Sequence, residues 1–418
     1  LEEERKTSKA AMEELEKQKT DNEMKKENAS ELIKLLYDEN IIWNEQLVQL
    51  HEEEKNFLGN IIISSLFLSY LSPFSGSYRI NATNNFIDLC GKYDITVSKD
   101  FKLQNVMSDV VQIRQWTMSG LPSDSVSIEN AIMFYNNKKY PLLIDPQLQG
   151  NQWIKKMYKG IIQIYKADCK EEKLKAQFES ISNDIISGAI TLLENVTENI
   201  DTVYSPIMNQ EVYLDDSGME RIKFNGYDRE YNKDFRMFFT TKIANPNYPH
   251  EYYIKLNIIN FTVNQSGLSE QLLSEVFKCE RRDKFEQRDK IIAEMGKMND
   301  QLLNFSRDIL KQLADTPEDK ILEAVDLIRN LQEEKKVSDE VNQRIKQNVV
   351  IEKETTELRD GYKPVSKRGS ILYFVVASMS KIDPMYQFSL EYFKKLFINS
   401  ISYKEENSKH KEEHVKFL

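Results

Sequence analysis

Cysteine and histidine are scarce in this sequence, and the few that occur are scattered. The 418 residues include 3 cysteines and 4 histidines. Cys90, Cys169 and Cys279 form no C-x-x-C pair, which argues against a zinc site and a disulfide scaffold and predicts reduced, intracellular core residues. His410 and His414 have the i, i+4 spacing that can bind zinc on a helix. Because lysine and glutamate surround them, we interpret them as part of a charged linker and predict no metal site.

An excess of basic residues and long apolar runs are also missing. The net charge of −10 argues against a general nucleic-acid binder and favours a protein partner. The longest apolar run, Ile61 to Leu71, is interrupted by serines and is too short to span a bilayer. No targeting segment is visible and the first residue is Leu1, so we expect part of a longer protein. The length and the 40% hydrophobic content suffice for two or three domains.

Glycine and proline are absent from residues 1 to 55, which predict one long helix of about 80 Å at ~1.5 Å per residue. A 4-3 repeat runs along it but is polar at Lys19, Asn22 and Lys26, so it specifies its register weakly. This pattern predicts one strand of a coiled coil, and a solvated surface helix is the alternative. Leu32, Leu35 and Leu50 predict that its C-terminal end docks on the globular body. The seam positions are Ser8, Met12, Leu15, Lys19, Asn22, Lys26, Ala29, Ile33, Leu36, Asn40, Trp43, Leu47 and Leu50.

The middle of the chain, from about 59 to 267, mixes strand and helix patterns. Buried strands that alternate with helices predict a mainly parallel sheet covered on both faces. Turn residues at 215–218 and 225–226 predict a β-hairpin around 212–224. The strand candidates are 131–135, 141–144, 160–165, 189–193, 235–240 and 254–261, and the helix candidates between them include 152–158 and 172–187.

The loop after the strand at 141–144 has the frame of a phosphate loop without its chemistry. Asp145 to Gln152 stand where G-x-x-x-x-G-K-[ST] would lie, and only the second glycine, Gly150, is present. Asn151 replaces the phosphate-binding lysine, Gln152 replaces the magnesium-binding hydroxyl, and Asp145 puts a negative charge where a phosphate would approach. We therefore expect this loop to repel a nucleotide triphosphate.

A second strand end, at Glu194 and Asn195, lacks the chemistry of nucleotide hydrolysis. An Asp-Glu pair would hold magnesium through water and activate the attacking water. Glu194 could still hold magnesium, but Asn195 cannot act as a base. Because the two halves of the apparatus are impaired independently, the sequence predicts a module that neither binds nor hydrolyses nucleotide.

Other polar positions near these strand ends have alternative interpretations. Gly150 and the helix after it could still offer backbone N–H groups to an anion. Lys155 and Lys156 could substitute for the missing lysine, but a solvated helix face is the usual role of such lysines. Thr240 and Thr241 could sense a γ-phosphate, but we predict a hydrogen-bonded strand end.

The last third of the chain is mainly helical. Residues 269 to 360 predict an antiparallel helical hairpin of roughly 60 to 70 Å, with its reversal and an N-cap at Thr316-Pro317. Residues 370–377 are apolar nearly all round, so we expect them to be buried. Asp383-Pro384 predicts the start of another amphipathic helix, and the two helices make a compact subdomain.

Short motifs in a fixed order extend over almost the whole chain. They are Phe67-Leu68-Ser69-Tyr70-Leu71-Ser72-Pro73-Phe74, Gly120-Leu121-Pro122-Ser123-Asp124, Ser127-Ile128-Glu129-Asn130, Pro141-Leu142-Leu143-Ile144-Asp145-Pro146-Gln147, Trp153-Ile154-Lys155, Leu192-Leu193-Glu194-Asn195-Val196, Thr240-Thr241-Lys242, Ile259-Asn260-Phe261-Thr262-Val263 and Met385-Tyr386-Gln387. With these motifs the chain resembles the dynein heavy chain from its returning stalk helix through the fifth of six AAA+ modules. The sequence Lys278-Cys279-Glu280-Arg281 departs from the family pattern by its cysteine, and 315–317 lack the usual glycine.

The resemblance implies an α/β plus α fold, with a parallel-sheet AAA+ large αβα subdomain, a small helical subdomain and two long coiled-coil elements. In order, it implies a second stalk helix at 1–55, the large subdomain with a degenerate nucleotide site at 56–268, and a buttress or strut hairpin at 269–360. The small helical subdomain follows at 361–403, and a linker to the next module at 404–418.

The function that the resemblance implies is mechanical: a non-catalytic module relays ATP-driven ring motion through buttress and stalk to microtubule binding. ATP and magnesium would bind in other modules of the motor. The implied partners are the other stalk helix, neighbouring AAA+ modules, microtubules and dynein intermediate and light chains, with no nucleic acid and no membrane. Residues 368–374 and 395–397 look more like axonemal than cytoplasmic chains, which implies a cilium or flagellum.

The alternatives are a nucleotide-binding AAA+ ATPase module with a regulatory role, and a chromosome-condensing type of scaffold, which would need an intact phosphate loop.

Overall fold

The computed structural model describes residues 2–315, 325–383 and 385–405, and the chain divides into two compact units. The first unit comprises Leu1–Lys55 and Asp283–Glu357, and the second comprises Asn56–Arg282 and Leu358–Leu418. The helices are α1 (Glu2–Leu66), α2 (Gly76–Lys92), α3 (Leu103–Met107), α4 (Val110–Met118), α5 (Ser125–Asn136), α6 (Gln149–Met157), α7 (Glu171–Ser187), α8 (Ser205–Met208), α9 (His250–Lys255), α10 (Gln265–Glu280), α11 (Arg282–Asp315), α12 (Val325–Asp360), α13 (Lys363–Ser378) and α14 (Leu390–Glu405). The strands are β1 (Pro141–Ile144), β2 (Ile162–Lys166), β3 (Ile190–Glu194), β4 (Val212–Leu214), β5 (Glu220–Phe224), β6 (Tyr227–Glu230), β7 (Arg236–Thr241) and β8 (Asn257–Asn260).

Long helices form the first unit. The predicted first helix is present but continues without a break to Leu66, well beyond residue 55. Seam residues Met12, Leu15 and Ile33 are exposed, and so is Leu50, which was expected to dock. The predicted hairpin start at 269 lies within α10, which packs with α13 and α14 in the second unit, and the long helix α11 begins at Arg282. The predicted reversal at Thr316-Pro317 lies outside the described residues.

A parallel sheet lies at the centre of the second unit. Its described strands pair in the order β2-β3-β7-β1-β8, all parallel, so the prediction of a mainly parallel sheet is confirmed. Apolar clusters cover both of its faces, as expected for a sheet between helical layers. The predicted strand at 131–135 is wrong, because these residues belong to α5. Ile254, predicted to begin the last strand, lies in α9 instead.

A smaller antiparallel sheet, β4-β5-β6, confirms the predicted hairpin around 212–224 and adds one strand to it. β5 and β6 are joined by Asn225 and Gly226, which have φ angles of 52° and 80°. Positive φ at both central residues is the geometry of the tight turn that Asn-Gly favours between antiparallel strands. The missed strand, β6, is strongly polar, so its pattern resembled a loop.

Helices α10, α13 and α14 form a helical subdomain whose core includes Leu268, Leu272 and Tyr373. The prediction that 370–377 are buried holds only for part of the run, since Ser370 and Tyr373 are buried but Leu372 and Val375 are 53% and 56% exposed. The last helix begins at Leu390 rather than at Asp383, whose carboxylate accepts a hydrogen bond from the Met385 backbone N–H in a turn. In the described part of the chain, no helix combines the length and the apolar character needed to cross a membrane.

Candidate functional site

The carboxylate of Asp145 lies at the N-terminus of α6, where a phosphate loop would hold a phosphate. Asp145 directly follows β1 and is fully buried. Its Oδ1 accepts the N–H of Gln149 at 2.9 Å, and its Oδ2 accepts the N–H of Asn151 at 2.8 Å. Burial raises the pKa of Asp145 to about 6, although hydrogen bonds from the loop backbone oppose this shift. The N–H groups that could bind an external anion therefore already have an anionic partner from the same chain.

Close packing against the sheet explains why a glycine occupies position 150. A Cβ at this position would lie 3.1 Å from side-chain atoms of both Leu143 and Phe261. The glycine therefore lets the first turn of α6 approach the sheet closely. Just before the helix, Leu148 has a φ of 61°, a left-handed conformation that is uncommon for a residue with a side chain. This backbone turn brings the N–H groups of α6 around the Asp145 carboxylate.

Asn151, at the position of the missing lysine, is buried and hydrogen-bonded to the neighbouring strand ends. Its Nδ2 donates to Oε1 of Glu194 at 2.8 Å and to Oγ1 of Thr240 at 3.2 Å. Nζ of Lys155 lies 2.5 Å from the same Glu194 oxygen. The interpretation of Lys155 as a solvated residue is therefore wrong, whereas Lys156 is exposed. Lys155 neutralises Glu194, so the oxygen most suited to magnesium is already paired.

The remaining predicted positions take part in strand-end hydrogen bonds. Asn195 has a left-handed φ of 57° and donates to Asp168, so it turns the chain at the end of β3. The backbone oxygen of Thr241 accepts the Asp145 N–H at 2.9 Å, and its hydroxyl accepts the Ile243 N–H at 3.2 Å. Together with the contact between Thr240 and Asn151, these bonds confirm the predicted hydrogen-bonded strand end.

Glutamines connect the loop to the helical subdomain, a feature that sequence reasoning missed. Gln149 donates to Gln271 at 2.8 Å, and Gln271 in turn donates to Asp124 at 2.8 Å. Lys394 donates to Gln271 at 2.7 Å, and burial lowers the pKa of Lys394. Gln152, at the position of the missing hydroxyl, is exposed and donates to Glu391 of α14 at 3.1 Å. The only sequence signal was the clustering of uncharged amides at 147, 149, 151 and 152.

Metal ligands are not gathered anywhere in the described ranges, where no group of three His, Cys, Asp or Glu side chains could hold an ion. Cys90 is buried, Cys169 and Cys279 are half-buried, and none of the three forms a disulfide. His410 and His414, the weak zinc candidate, lie outside the described residues.

The parallel sheet, the strand-to-helix loop at its carboxyl edge and the adjoining helical subdomain define an AAA+ module. The family model described as "ATP-binding dynein motor region" matches residues 114–341. The chain belongs to the dynein heavy chain family. This confirms the resemblance predicted from its motifs and the α/β plus α class; the coiled coils and the segment boundaries stay predictions.

Similar proteins include human dynein axonemal heavy chain 6, which is 37% identical over 383 residues and 91% of this chain. Human dynein axonemal heavy chain 1 is 32% identical over 375 residues and 90% of the chain. The ciliary dynein beta chain of Heliocidaris crassispina is 32% identical over 385 residues and 90% of the chain. The chain spans only 8% to 9% of the length of these relatives.

Proposed function

We propose that this chain is a mechanical module of an ATP-driven, microtubule-based motor, and that its own degenerate site binds no nucleotide. The observation that carries this proposal is the Asp145 carboxylate, which accepts two N–H groups at the head of α6. A triphosphate would have to displace this tethered anion and would meet an amide at Asn151 in place of a lysine. ATP and magnesium act in other modules of the complete motor.

The mechanism that we propose is transmission through long helices. Ring motion powered elsewhere moves the hairpin of α11 and α12, which acts as a buttress on the stalk and biases the register of α1 against a partner helix. In support, the hairpin helices and residues 1–55 fall in one compact unit. Two registers within a few kcal/mol of each other would suffice for such a switch. The polar seam residues Lys19, Asn22 and Lys26 keep the registers close in energy, because none gains a large apolar contact.

The printed names of the relatives, axonemal and ciliary dynein chains, support an axonemal location for the complete heavy chain. The partners that we propose are the other stalk helix, the neighbouring AAA+ modules, microtubules bound through the stalk tip, and dynein intermediate and light chains. The competing proposal is a regulatory nucleotide-binding module. It requires the Asp145 loop to bind nucleotide, whereas our proposal requires that it does not, so nucleotide binding at this loop distinguishes the two.

Photolabelling of the full-length heavy chain with an azido-ATP analogue should leave peptides from 120–160 unlabelled. The physical reason is that Asp145 holds the anion position and Lys155 is paired with Glu194. Mass spectrometry of the labelled peptides gives the measurement, and the catalytic modules of the same chain serve as the internal positive control. Label in this region that disappears in Asn151→Ala or Glu194→Ala would favour the regulatory ATPase instead.

Replacing Lys19, Asn22 and Lys26 by leucine should lock one register of the stalk. We expect the ratio of microtubule affinities between nucleotide states to fall by about fivefold or more, the range of ordinary coupling energies. The measurement is co-sedimentation of the full-length motor with microtubules in each nucleotide state. Leucines at Lys17, Thr20 and Glu27, which are exposed and lie away from the seam, are the matched control. An undiminished ratio in the seam variant would refute the register mechanism.

A further inference from the structure

A cleft of about 260 Å³ lies beside α2 in the second unit, and we name it the α2 cleft. Its lining comes from the π-helical segment Phe67–Leu71, from α2, from the start of α3 with the residues just before it, and from the first turns of α5. A cavity of about 150 Å³ is large enough to hold a benzene ring. The α2 cleft therefore has room for one aromatic ring and a small polar head.

Much of the cleft lining is apolar. Phe67 and Leu103 line the cleft as buried side chains, and Phe101 is half-buried. Ile80 of α2 also lines it and is exposed, so the apolar surface continues to solvent. Small-molecule sites combine apolar walls of this kind with a few polar groups that fix orientation. The walls therefore suit a hydrocarbon ring better than a hydrated ion.

The buried charges at the cleft already have partners within the chain. Arg79 donates to the carbonyl oxygens of Leu71 at 3.0 Å and Ser72 at 2.9 Å, and to Oδ1 of Asn130 at 2.8 Å. Its Nη1 also lies 3.7 Å from the Glu129 carboxylate. An anionic ligand would have to compete with these acceptors for the guanidinium, and a cationic ligand would have to compete with the guanidinium for Glu129.

Desolvation also disfavours a charged ligand in the cleft. Burial raises the pKa of Glu129, and the charge of Arg79 opposes this shift. The surroundings therefore disfavour a charge even on a side chain that has a cationic partner. A charged ligand would incur a similar cost on leaving water. Lys102 lines the cleft but is exposed, so its charge is screened by water and offers little compensation.

A hydroxyl without a partner marks where the polar head of a ligand would bind. Thr83 lines the cleft and is only 9% exposed. Its Oγ1 is buried and has no hydrogen-bond partner within the described part of the chain. Buried polar groups are normally hydrogen-bonded, because leaving one unpaired is costly. The side-chain amides of Asn84 and Gln104 also line the cleft and can donate or accept.

We infer that the α2 cleft is a binding site for a small neutral aromatic ligand whose hydroxyl or amide group hydrogen-bonds to Thr83. The ring lies between Phe67, Phe101 and Leu103, and the paired charges of Arg79 and Glu129 leave no binding energy for an ionic head. This inference goes beyond the proposed function and does not depend on it, since no residue of the Asp145 loop lines the cleft.

Matched probes that differ in charge test the inference on the full-length heavy chain. Benzamide, benzoate and benzylamine share one ring and carry a neutral, an anionic and a cationic head. We expect benzamide to slow hydrogen exchange in α2, α3 and α5 with a Kd on the order of 1 mM, a usual value for so small a ligand. Benzoate and benzylamine should bind at least about tenfold more weakly, because each carries an unpaired charge into the cleft.

The β4-β5-β6 sheet is the internal control for unspecific effects, because it contributes no residue to the cleft lining. No protection of α2, α3 and α5 by benzamide at its solubility limit would overturn the inference. So would equal or tighter binding of benzoate, which would make the cleft an anion site of Arg79 and Lys102. Equal binding of benzylamine would overturn it in the same way, with Glu129 as the partner.

Thr83→Val tests the proposed contact, because valine has nearly the same shape as threonine and lacks the hydroxyl. We expect benzamide to bind this variant about fivefold more weakly, the usual effect of one hydrogen bond. Toluene, which has no polar head, should bind the variant and the parent chain alike. Without a ligand, exchange in α2 should be no faster in the variant, since the substitution removes an unpaired buried hydroxyl.

Ser64→Ala is the matched control, since Ser64 also has a buried hydroxyl without a partner in the described residues but does not line the cleft. It should leave benzamide binding unchanged. If benzamide binds Thr83→Val as tightly as the parent chain, the hydroxyl is not its partner and the inference fails. The comparison of the three probes on the parent chain decides the charge preference even if Thr83→Val does not fold.

Discussion

Lowering the pH from about 7 to about 4 is expected to stabilise the loop after β1 and helix α6 by about 2 kcal/mol, through Asp145 alone. Burial raises the pKa of Asp145 from its ordinary 3.8 to about 6. The folded protein therefore binds a proton at this group more tightly than the unfolded chain does. The contribution to stability is fully present below about pH 4 and is lost as the pH rises through about 6.

Asp145→Asn supplies the control for this pH dependence, because the amide does not titrate and keeps nearly the same shape. Burial also raises the pKa of Glu129, Asp184 and Glu270, so these groups give a change of the same sign in both proteins. The difference between the two proteins isolates Asp145. The measurement is the free energy of opening of α6 amides from hydrogen exchange, corrected for the intrinsic effect of pH.

Parallel pH curves for the two proteins would show that Asp145 is ionised at no unusual cost, as it would be in a solvated loop. They would remove the argument that this carboxylate is a buried occupant of the anion position. A curve that is steep in the parent chain and flatter in Asp145→Asn between about pH 4 and 6 would agree with the geometry at the head of α6.

The strands of the parallel sheet were predictable where turn residues flank a short apolar run on both sides. β1, from Pro141 to Ile144, is the clear case, since it is buried on both faces and Asp145 follows it directly. The run Ala131 to Tyr135 is similarly apolar but lies in α5. It was mistaken for a strand because Ala131 to Phe134 are all buried, which removes the periodicity that separates helix from strand. A cap signal was present: Asp124 accepts the Ser127 N–H at 3.0 Å and starts the helix.

The absence of the phosphate-loop and Asp-Glu residues at the candidate site was visible in the sequence. The hydrogen-bond partners of the residues that replace them were not predictable. Asn151 lies in the first turn of the helix after β1, and Glu194 is the last residue of β3. Only β7 separates these two parallel strands, so both residues lie at the same edge of the sheet and their proximity follows from topology. The hydrogen bond between Gln149 and Gln271 joins residues 122 positions apart in different subdomains. Nothing local indicates which faces of two subdomains meet, since amides pair with many partners equally well. The pairing of Lys155 with Glu194 was missed for a related reason, because a helical lysine without a visible partner is usually solvated.

Arg79→Met is expected to lower the free energy of opening around α2 and α5 by about 3 to 5 kcal/mol, the usual effect of breaking a buried charge pair. Arg79 donates to the carbonyls of Leu71 and Ser72 and to Oδ1 of Asn130 at 2.8 Å, and it lies 3.7 Å from Glu129. Burial lowers its pKa to about 10, and Glu129 opposes that shift. Removing the guanidinium leaves the carbonyls of Leu71 and Ser72 and the Asn130 amide oxygen without their donor, and the Glu129 carboxylate without its cation.

Lys102→Met is the matched control, since this exposed lysine lines the same cleft as Arg79 and Glu129. Loss of an exposed cation is expected to change stability by about 0.5 kcal/mol or less. Hydrogen exchange of α2 and α5 in the full-length heavy chain measures both variants. If Arg79→Met behaves like Lys102→Met, the guanidinium does not hold the backbone at Leu71 and Ser72 to α2, and the stabilising role of this buried charge would have to be discarded.

Glu129→Gln in the Arg79→Met background separates the two sources of the loss. If the loss comes mainly from the uncompensated carboxylate, the neutral amide should recover a large part of it, because the buried charge is gone. If it comes mainly from the unpaired carbonyls of Leu71 and Ser72, the second substitution should recover little. Only the second result would mean that Arg79 acts chiefly as a cap on the π-helical segment Phe67–Leu71 that follows α1.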